Sequence, residues 1–323
     1  MFMRERKKPI PLQKKDATIP RLPQGDRRLP ALRHSAARDQ KGFNGERKLD
    51  YHLRSLPDKF TVLNDVSLKI FGRQFQIDSI ITSPHAIYMN EVKSYEGTVT
   101  FDTNLKQLIQ ENGEKIDGRK YPITQVENNQ FLLLRWLQMR HLGGLPIYYF
   151  ISFSEHSTII KVLGDEKAIQ KAVSYVDEVP LRIMQMDEQL VQNRPRNIQF
   201  QNRINNEILR NCHDFDTDVL HEFGIKKDEI LPGVQCPECK TLGMERLRYK
   251  WRCKKCGTVS KDAHLNALCD RSLLIDREIT NKQCRDFLIV NRSAANTLLK
   301  GAGLIKKTGT KKWILDLDKL QRR

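Results

Sequence analysis

Three charged residues, Asp78, Glu91 and Lys93, interrupt two otherwise apolar runs at 76–82 and 86–92. Both runs read as short strands, and Ser83-Pro84-His85 between them reads as a hairpin turn. With the turn centred between Pro84 and His85, Asp78 and Glu91 are each six residues from the centre and lie opposite one another. Glu91 and Lys93, two residues apart, share a strand face with Ile87 and Met89. Unpaired charge is costly to bury, so two carboxylates and a lysine on such a face imply a cation or a function. A hard divalent cation takes oxygen ligands, which makes Asp78 and Glu91 candidate Mg²⁺ ligands, with the Val92 carbonyl as a further donor. Such an ion polarises a scissile phosphate and acidifies an attacking water. Lys93 is then the candidate to orient or deprotonate that water and to offset the pentavalent charge. The spacing Asp-x12-Glu-x-Lys thus predicts a Mg²⁺-dependent phosphodiesterase. The plainer alternative is a solvated hairpin face on which Glu91 and Lys93 simply pair.

Residues 43–56 read as an amphipathic helix, with Leu49, Leu53 and Leu56 on one side. Glu46 falls on that same apolar side, either as a first-turn carboxylate favoured by the helix dipole or as a group aimed at the site. A strand is expected over 61–70, and 97–101 continues the sheet. The stretch 106–120, with Gly113 and Gly118, reads as irregular towards its end. Pro122 starts a helix to about His141 that buries Val126, Leu133, Trp136 and Leu137. Strands follow at 147–153 and 158–162, and helices fill most of 165–212. Interleaved strands and helices predict an α/β core with a mixed sheet.

Four segments occur in order: Gly42-Phe-Asn-Gly45-Glu46, Gln76-Ile-Asp78-Ser-Ile-Ile, Glu91-Val-Lys93 and Pro122-Ile-Thr-Gln125. Together they closely resemble the nuclease-related domain (NERD) family, a branch of the PD-(D/E)XK nuclease superfamily, over roughly residues 40–165. The resemblance implies a restriction-endonuclease-like mixed sheet flanked by helices and Mg²⁺-dependent cleavage of DNA. It carries the catalytic positions onto Asp78, Glu91 and Lys93. It also matches Glu46 to the carboxylate of the first helix, and Gln125 to a glutamine heading a later one. All five residues are present.

With 323 residues and 39% hydrophobic content, the chain is long enough for two or three domains. Its apolar runs are short and its N-terminus is charged, so no membrane span is expected and the cytoplasm is the expected compartment. The net charge of +17 is concentrated at the ends. Residues 1–41 carry 12 Lys/Arg against 4 Asp/Glu, and residues 236–323 carry 21 against 9. A nucleic acid, DNA foremost, is the expected partner, although RNA or a membrane surface answers the same charge. The expected divisions are a basic arm at 1–41, the nuclease-like core at 42–180, a helical connector at 181–233, a zinc ribbon at 234–260 and a winged-helix-like domain at 261–323. The arm, with five prolines, is either disordered or built of short packed helices.

Cys236-x-x-Cys239 and Cys253-x-x-Cys256, thirteen residues apart, fit a tetrahedral four-cysteine Zn²⁺ site, with redox-active dithiols as the alternative. Four thiolates leave no open position, so this zinc is expected to be structural. Lys240, Arg246, Arg248, Lys250, Arg252, Lys254 and Lys255 around it either contact phosphate or form a solvated face. In the last segment, helices are expected at 264–274, 282–289 and 293–300, the third capped by Asn291 or Arg292. Ser293, Asn296, Thr297 and Lys300 share the outer face of the third helix and are suited to base edges and phosphates. A wing over 305–315 turns at Thr308-Gly309, which sets Lys306 opposite Lys311 with Lys307 and Lys312 beside them. Like charges directly opposite are unfavourable unless an anion lies between them. A small packing or protein-binding module is the alternative for this tail, and a non-catalytic DNA-binding protein with a nuclease fold is the alternative for the whole chain.

Overall fold

The structure is a computed structural model that describes residues 1–191, 197–302, 304–317 and 320. The basic N-terminal stretch folds into β1 (Phe2–Arg4), α1 (Ile10–Thr18) and the start of α2 (Leu29–Leu53). Its prolines do not unfold it: Pro11 and Pro30 each stand second in a helix, where a missing N–H costs nothing. Nor is it one arm. Met1–Pro9 belongs with Asp39–Phe215 in one compact unit, and Ile10–Arg38 with Asp216–Arg323 in a second. The helix expected at 43–56 is the later part of α2, which begins well upstream of Gly42 and Gly45. Each of those glycines costs about 1 kcal/mol of helix propensity, so packing has to sustain the helix there.

The first unit continues with β2 (Thr61–Ile70), β3 (Arg73–Thr82), β4 (Ile87–Lys93), β5 (Thr98–Asp102), β6 (Gln107–Asn112) and β7 (Lys115–Arg119). Then come α3 (Pro122–Gln138), β8 (Ile147–Phe153), β9 (Ile159–Leu163), α4 (Glu166–Ala172), β10 (Val173–Tyr175), α5 (Val179–Val191) and α6 (Ile198–Asn211). A six-stranded mixed sheet runs β1-β2-β3-β4-β8-β10. Its β2–β3–β4 meander is antiparallel, while β1, β8 and β10 add in parallel. One face buries Leu63, Ile80, Ile87 and Met89 with Leu133, Trp136 and Leu137 of α3 and Ile204 and Ile208 of α6. The other buries Val62, Ile81, Tyr88 and Phe150 with Leu49 and Leu53 of α2 and Val179 and Ile183 of α5. Each fully buried large side chain contributes roughly 1.5–3 kcal/mol. The mixed sheet flanked by helices is therefore present.

Three local expectations need correction. The strand expected at 97–101 does not continue the central sheet: β5 pairs with β6 and β9 in a second sheet. The stretch 106–120 is not irregular: β6 and β7 pair as a hairpin in a four-stranded sheet, β7-β6-β5-β9, with Gly113 supplying φ +61 at the turn. The expected helical run 165–212 contains the strand β10, and its residues 192–196 lie outside those described.

The second unit has its own apolar cluster, which joins Leu29 and Leu32 to Trp251, Leu268, Leu288 and Leu299. After the short α7 (Val219–Glu222), β11 (Glu245–Arg246), β12 (Trp251–Arg252) and β13 (Val259–Ser260) form an antiparallel sheet. Next come α8 (Ala263–Leu274), β14 (Glu278–Thr280), α9 (Asn281–Leu288), α10 (Arg292–Gly301), β15 (Ile305–Lys306) and β16 (Lys312–Ile314). The order is helix–strand–helix–helix–strand–strand, closed by the sheet β14-β16-β15. The N-terminal segment is built into this core. The fully buried Arg21 donates to Asp270 Oδ2 (2.8 Å from Nη2) and to the Leu231 carbonyl (2.9 Å). No helix among the described residues is long and apolar enough to cross a membrane.

Candidate functional site

The β3–β4 ladder runs from Thr82↔Ile87 to Ser79↔Asn90, so the turn is centred between Pro84 and His85 and Asp78 falls opposite Glu91. Ser83 closes the turn: its N–H donates to the Ala86 carbonyl (2.9 Å), and its Oγ accepts from the Ala86 and His85 amides (3.0 and 3.1 Å). Asp78 is fixed by the next strand, its Oδ2 accepting from the Val92 amide at 2.9 Å. Lys93 Nζ donates to Glu91 Oε1 (2.7 Å) and to Gln125 Oε1 (3.1 Å), while Gln125 Nε2 donates to the same Glu91 Oε1 (2.7 Å). Gln125 reaches this position from the first turn of α3, started by Pro122. Asp78, Glu91, Lys93 and Gln125 therefore meet at one place.

This place is largely dry. Glu91 is 6% exposed, and burial together with the nearby Asp78 charge pushes its carboxyl up to about 7. Burial works to lower Lys93, but the Glu91 and Asp78 carboxylates outweigh it and the ammonium is raised above its ordinary value. The hydrogen bonds to Val92, Lys93 and Gln125 use Asp78 Oδ2 and Glu91 Oε1 and leave Asp78 Oδ1 and Glu91 Oε2 outside them. These two oxygens suit a hard divalent cation, which prefers carboxylate donors and keeps several waters.

Glu46 makes its ion pair with Arg6 rather than with Lys93. α2 comes close to the sheet at Gly45, where a Cβ would lie 1.9 Å from Ser94 Oγ. The Glu46 carboxylate is bound to Arg6 (Nη1 to Oε2, 2.8 Å), although it still feels the Asp78 charge. Burial first, then Asp78, raises the Glu46 carboxyl, against the pull of Arg6. Arg6 also meets Asp50 (2.9 Å), Asp65 (2.6 Å), the Asp78 carbonyl (3.0 Å) and Ser79 Oγ (2.9 Å). Asp65 lies across from Asp78, and the β2–β3 ladder lapses there between Asn64↔Ser79 and Val66↔Ile77. Asp65 takes φ +51, a left-handed conformation costing about 1–2 kcal/mol. Burial alternation shifts across this point, for Leu63 and Ile80 share a cluster with Val66, Leu68, Phe75 and Ile77. Arg6, Asp50 and Asp65 were not legible in the sequence: one arginine among many in a basic stretch carries no spacing signal, and a strand aspartate reads as solvated.

The four cysteines converge. Sulfurs of Cys236 and Cys256 are 3.6 Å apart, those of Cys239 and Cys253 are 3.5 Å apart, and all four lie within 4.8 Å of one another. A tetrahedral Zn–S₄ site with bonds near 2.3 Å places its sulfurs about 3.8 Å apart, so the donor set fits zinc. The two knuckles repeat one geometry. Cys236 N–H donates to Thr241 O and Cys253 N–H to Thr258 O (2.9 Å each), with Lys240 (φ +57) and Gly257 (φ +75) at equivalent left-handed positions. Hydrogen bonding with Thr258 lowers the Cys256 thiol to about 6, while Cys253 in the same cluster is pushed up to about 11.

In the tail, Ser293, Asn296, Thr297 and Lys300 lie exposed on α10, while Ala295, Leu298, Leu299 and Ala302 are buried. Asn291 is the N-cap, its side chain accepting from the Ala294 amide (2.8 Å). The expected wing register is wrong by two. Lys306 lies opposite Trp313, and Lys307 N–H donates to Lys312 O (3.0 Å), because the loop closes around Gly309-Thr310. No Lys306–Lys311 pair forms. Lys307 and Lys312 instead grip Glu278 of β14, at 2.6 and 2.7 Å. Lys306 and Lys311 are exposed.

The central hairpin of a mixed sheet thus gathers two carboxylates, a lysine and a helix-borne glutamine. Residues 41–154 match the family model described as the nuclease-related domain, and the chain carries that domain there. Glu46, Asp78, Glu91, Lys93 and Gln125 all fall inside the match; Arg6 falls outside it. No curated protein and no solved structure matches the chain significantly.

Proposed function

We propose that this protein is a Mg²⁺-dependent DNA endonuclease whose centre is Asp78, Glu91, Lys93 and Gln125. A structural zinc at Cys236, Cys239, Cys253 and Cys256 and a winged-helix tail provide for DNA binding. The observation that carries this reading is the partly buried, hydrogen-bonded Asp78–Glu91–Lys93–Gln125 constellation inside the nuclease-related match. When bound, the divalent ion polarises the scissile phosphate and makes a bound water more acidic. Asp78 and Glu91 would hold it through Oδ1 and Oε2, the oxygens outside their hydrogen bonds to Val92, Lys93 and Gln125. Glu91 and Gln125 fix the Lys93 ammonium, whose remaining donor is available to a phosphate oxygen or to the attacking water. Gln125 orients both partners and stays neutral throughout. Glu46 acts from farther out, through the charge it presents beside Asp78.

The test is nicking of supercoiled plasmid by the purified chain, with and without Mg²⁺, beside Asp78→Asn and Glu91→Gln. Mg²⁺-dependent nicking that both variants lose, while they still bind DNA, is the expected result. Equal nicking by either variant overturns the site, and cleavage confined to an RNA substrate overturns the assignment to DNA.

A further inference from the structure

We propose that the Arg6 guanidinium is the fixed second cation of this centre. It is a positioning residue that holds Glu46 and Asp65 off Asp78 and leaves a place for one exchangeable divalent ion. Its side chain is 1% exposed and binds three carboxylates, of Glu46, Asp50 and Asp65, together with the Asp78 carbonyl and Ser79 Oγ. A planar fork with five donors can span such a set, whereas an ammonium with three cannot. The backbone delivers it there. The Met1 amino group donates to Phe60 O (2.7 Å), Val62 N–H donates to Met1 O (3.0 Å), and β1 runs parallel to β2.

The carboxylates around it bear this out. Glu46, Asp65 and Asp78 come from α2, β2 and β3 and feel one another's charge. Among the described residues, however, the four cysteines are the only group of three or more acidic, His or Cys side chains close enough to hold a single ion. The guanidinium is the cation that Glu46, Asp50 and Asp65 already hold. Residue 6 precedes the 41–154 match, so this cation is supplied by a part of the chain outside the domain it completes.

The effect on rate rests on the nuclease reading, whereas the count of bound cations does not. Full-length wild type, Arg6→Met and Arg6→Lys are compared for folding by circular dichroism, for plasmid cleavage at saturating Mg²⁺, and for Mn²⁺ stoichiometry by electron paramagnetic resonance. Arg6→Lys keeps the charge without the fork. It is expected to fold, to lose kcat on the order of 10²-fold through misplacement of its partners, and to keep KM for DNA. Arg6→Met should lose at least as much and regain part of it with added methylguanidinium. Wild type should bind one Mn²⁺ that Asp78→Asn removes, Arg6→Lys one, and Arg6→Met two. A folded Arg6→Lys with wild-type kcat, two Mn²⁺ in the wild type, or one in Arg6→Met overturns the proposal. If the wild type cuts no nucleic acid but the Mn²⁺ count still rises from one to two, the nuclease reading fails and the role of Arg6 stands. Should Arg6→Met not fold, Arg6→Lys decides the matter by its kcat.

Discussion

Glu46 reaches the neighbourhood of Asp78 because the residue before it has no side chain. A Cβ at Gly45 would lie 1.9 Å from Ser94 Oγ and 2.8 Å from Ser154 Oγ, and those two hydroxyls already hydrogen-bond each other at 2.8 Å. Gly45→Ala therefore has to push α2 off the sheet or break that pair. It should cost about 1–3 kcal/mol, measured by urea unfolding, even though alanine is the better helix former. The double variant Gly45→Ala/Ser94→Gly should recover most of the loss; a Gly45→Ala protein as stable as wild type refutes the close approach. The same scale separates what the sequence shows from what it hides. Asp78, Glu91 and Lys93 are legible because a short hairpin fixes which residues oppose, and counting from its turn suffices. Arg6 is not, since its partners lie 40 to 73 residues away and only the folded sheet brings them together.

Strands and helices are legible where one face is buried and the alternation has a single period. β4 and α3 are of that kind, and the structure has both close to where the pattern sets them. The wing is not, for its strands are two or three residues long and mostly exposed, so burial does not fix their register. There the loop chose the register, and β14 brought Glu278 beneath Lys307 and Lys312, a contact from 29 and 34 residues away. The consequence is that the four wing lysines are not equivalent. Each phosphate contact adds about 0.9 to the slope of log affinity against log salt. Lys306→Gln and Lys311→Gln should each flatten the slope by about that much, and Lys312→Gln by less, because Glu278 already neutralises it. Glu278→Gln should tighten DNA binding and steepen the slope. Fluorescence anisotropy across a salt series measures all four, and an unchanged slope in Glu278→Gln would show that the wing does not touch phosphate.

Charge and core divide the whole molecule more sharply than linear boundaries do. The unit made of residues 10–38 and 216–323 carries 30 Lys/Arg against 16 Asp/Glu, a net +14, whereas the other carries 26 against 23. Boundaries read along the chain could not reveal this, because the N-terminal segment supplies β1 to one unit and α1 to the other. Nor is the ribbon isolated within its unit. Cys236, Cys253 and Trp251 belong to the same apolar cluster as Leu268 of α8 and Ala295 and Leu299 of α10, while the three clusters of the nuclease-related unit contain none of these. Metal binding and folding are coupled when the ligands bridge a core, so the effect of losing zinc should extend beyond the knuckles. Cys236→Ser should reduce zinc from about one ion per chain to none, expose Trp251 to solvent and weaken DNA binding, with a flatter salt dependence. It should leave kcat at saturating DNA intact, because Asp78, Glu91, Lys93 and Gln125 stand on the other core. Metal analysis, tryptophan fluorescence and steady-state cleavage together measure this. A fall in kcat as large as the loss of affinity would mean that the zinc-bearing unit takes part in the chemistry itself, and the division of labour argued from charge and core would be wrong.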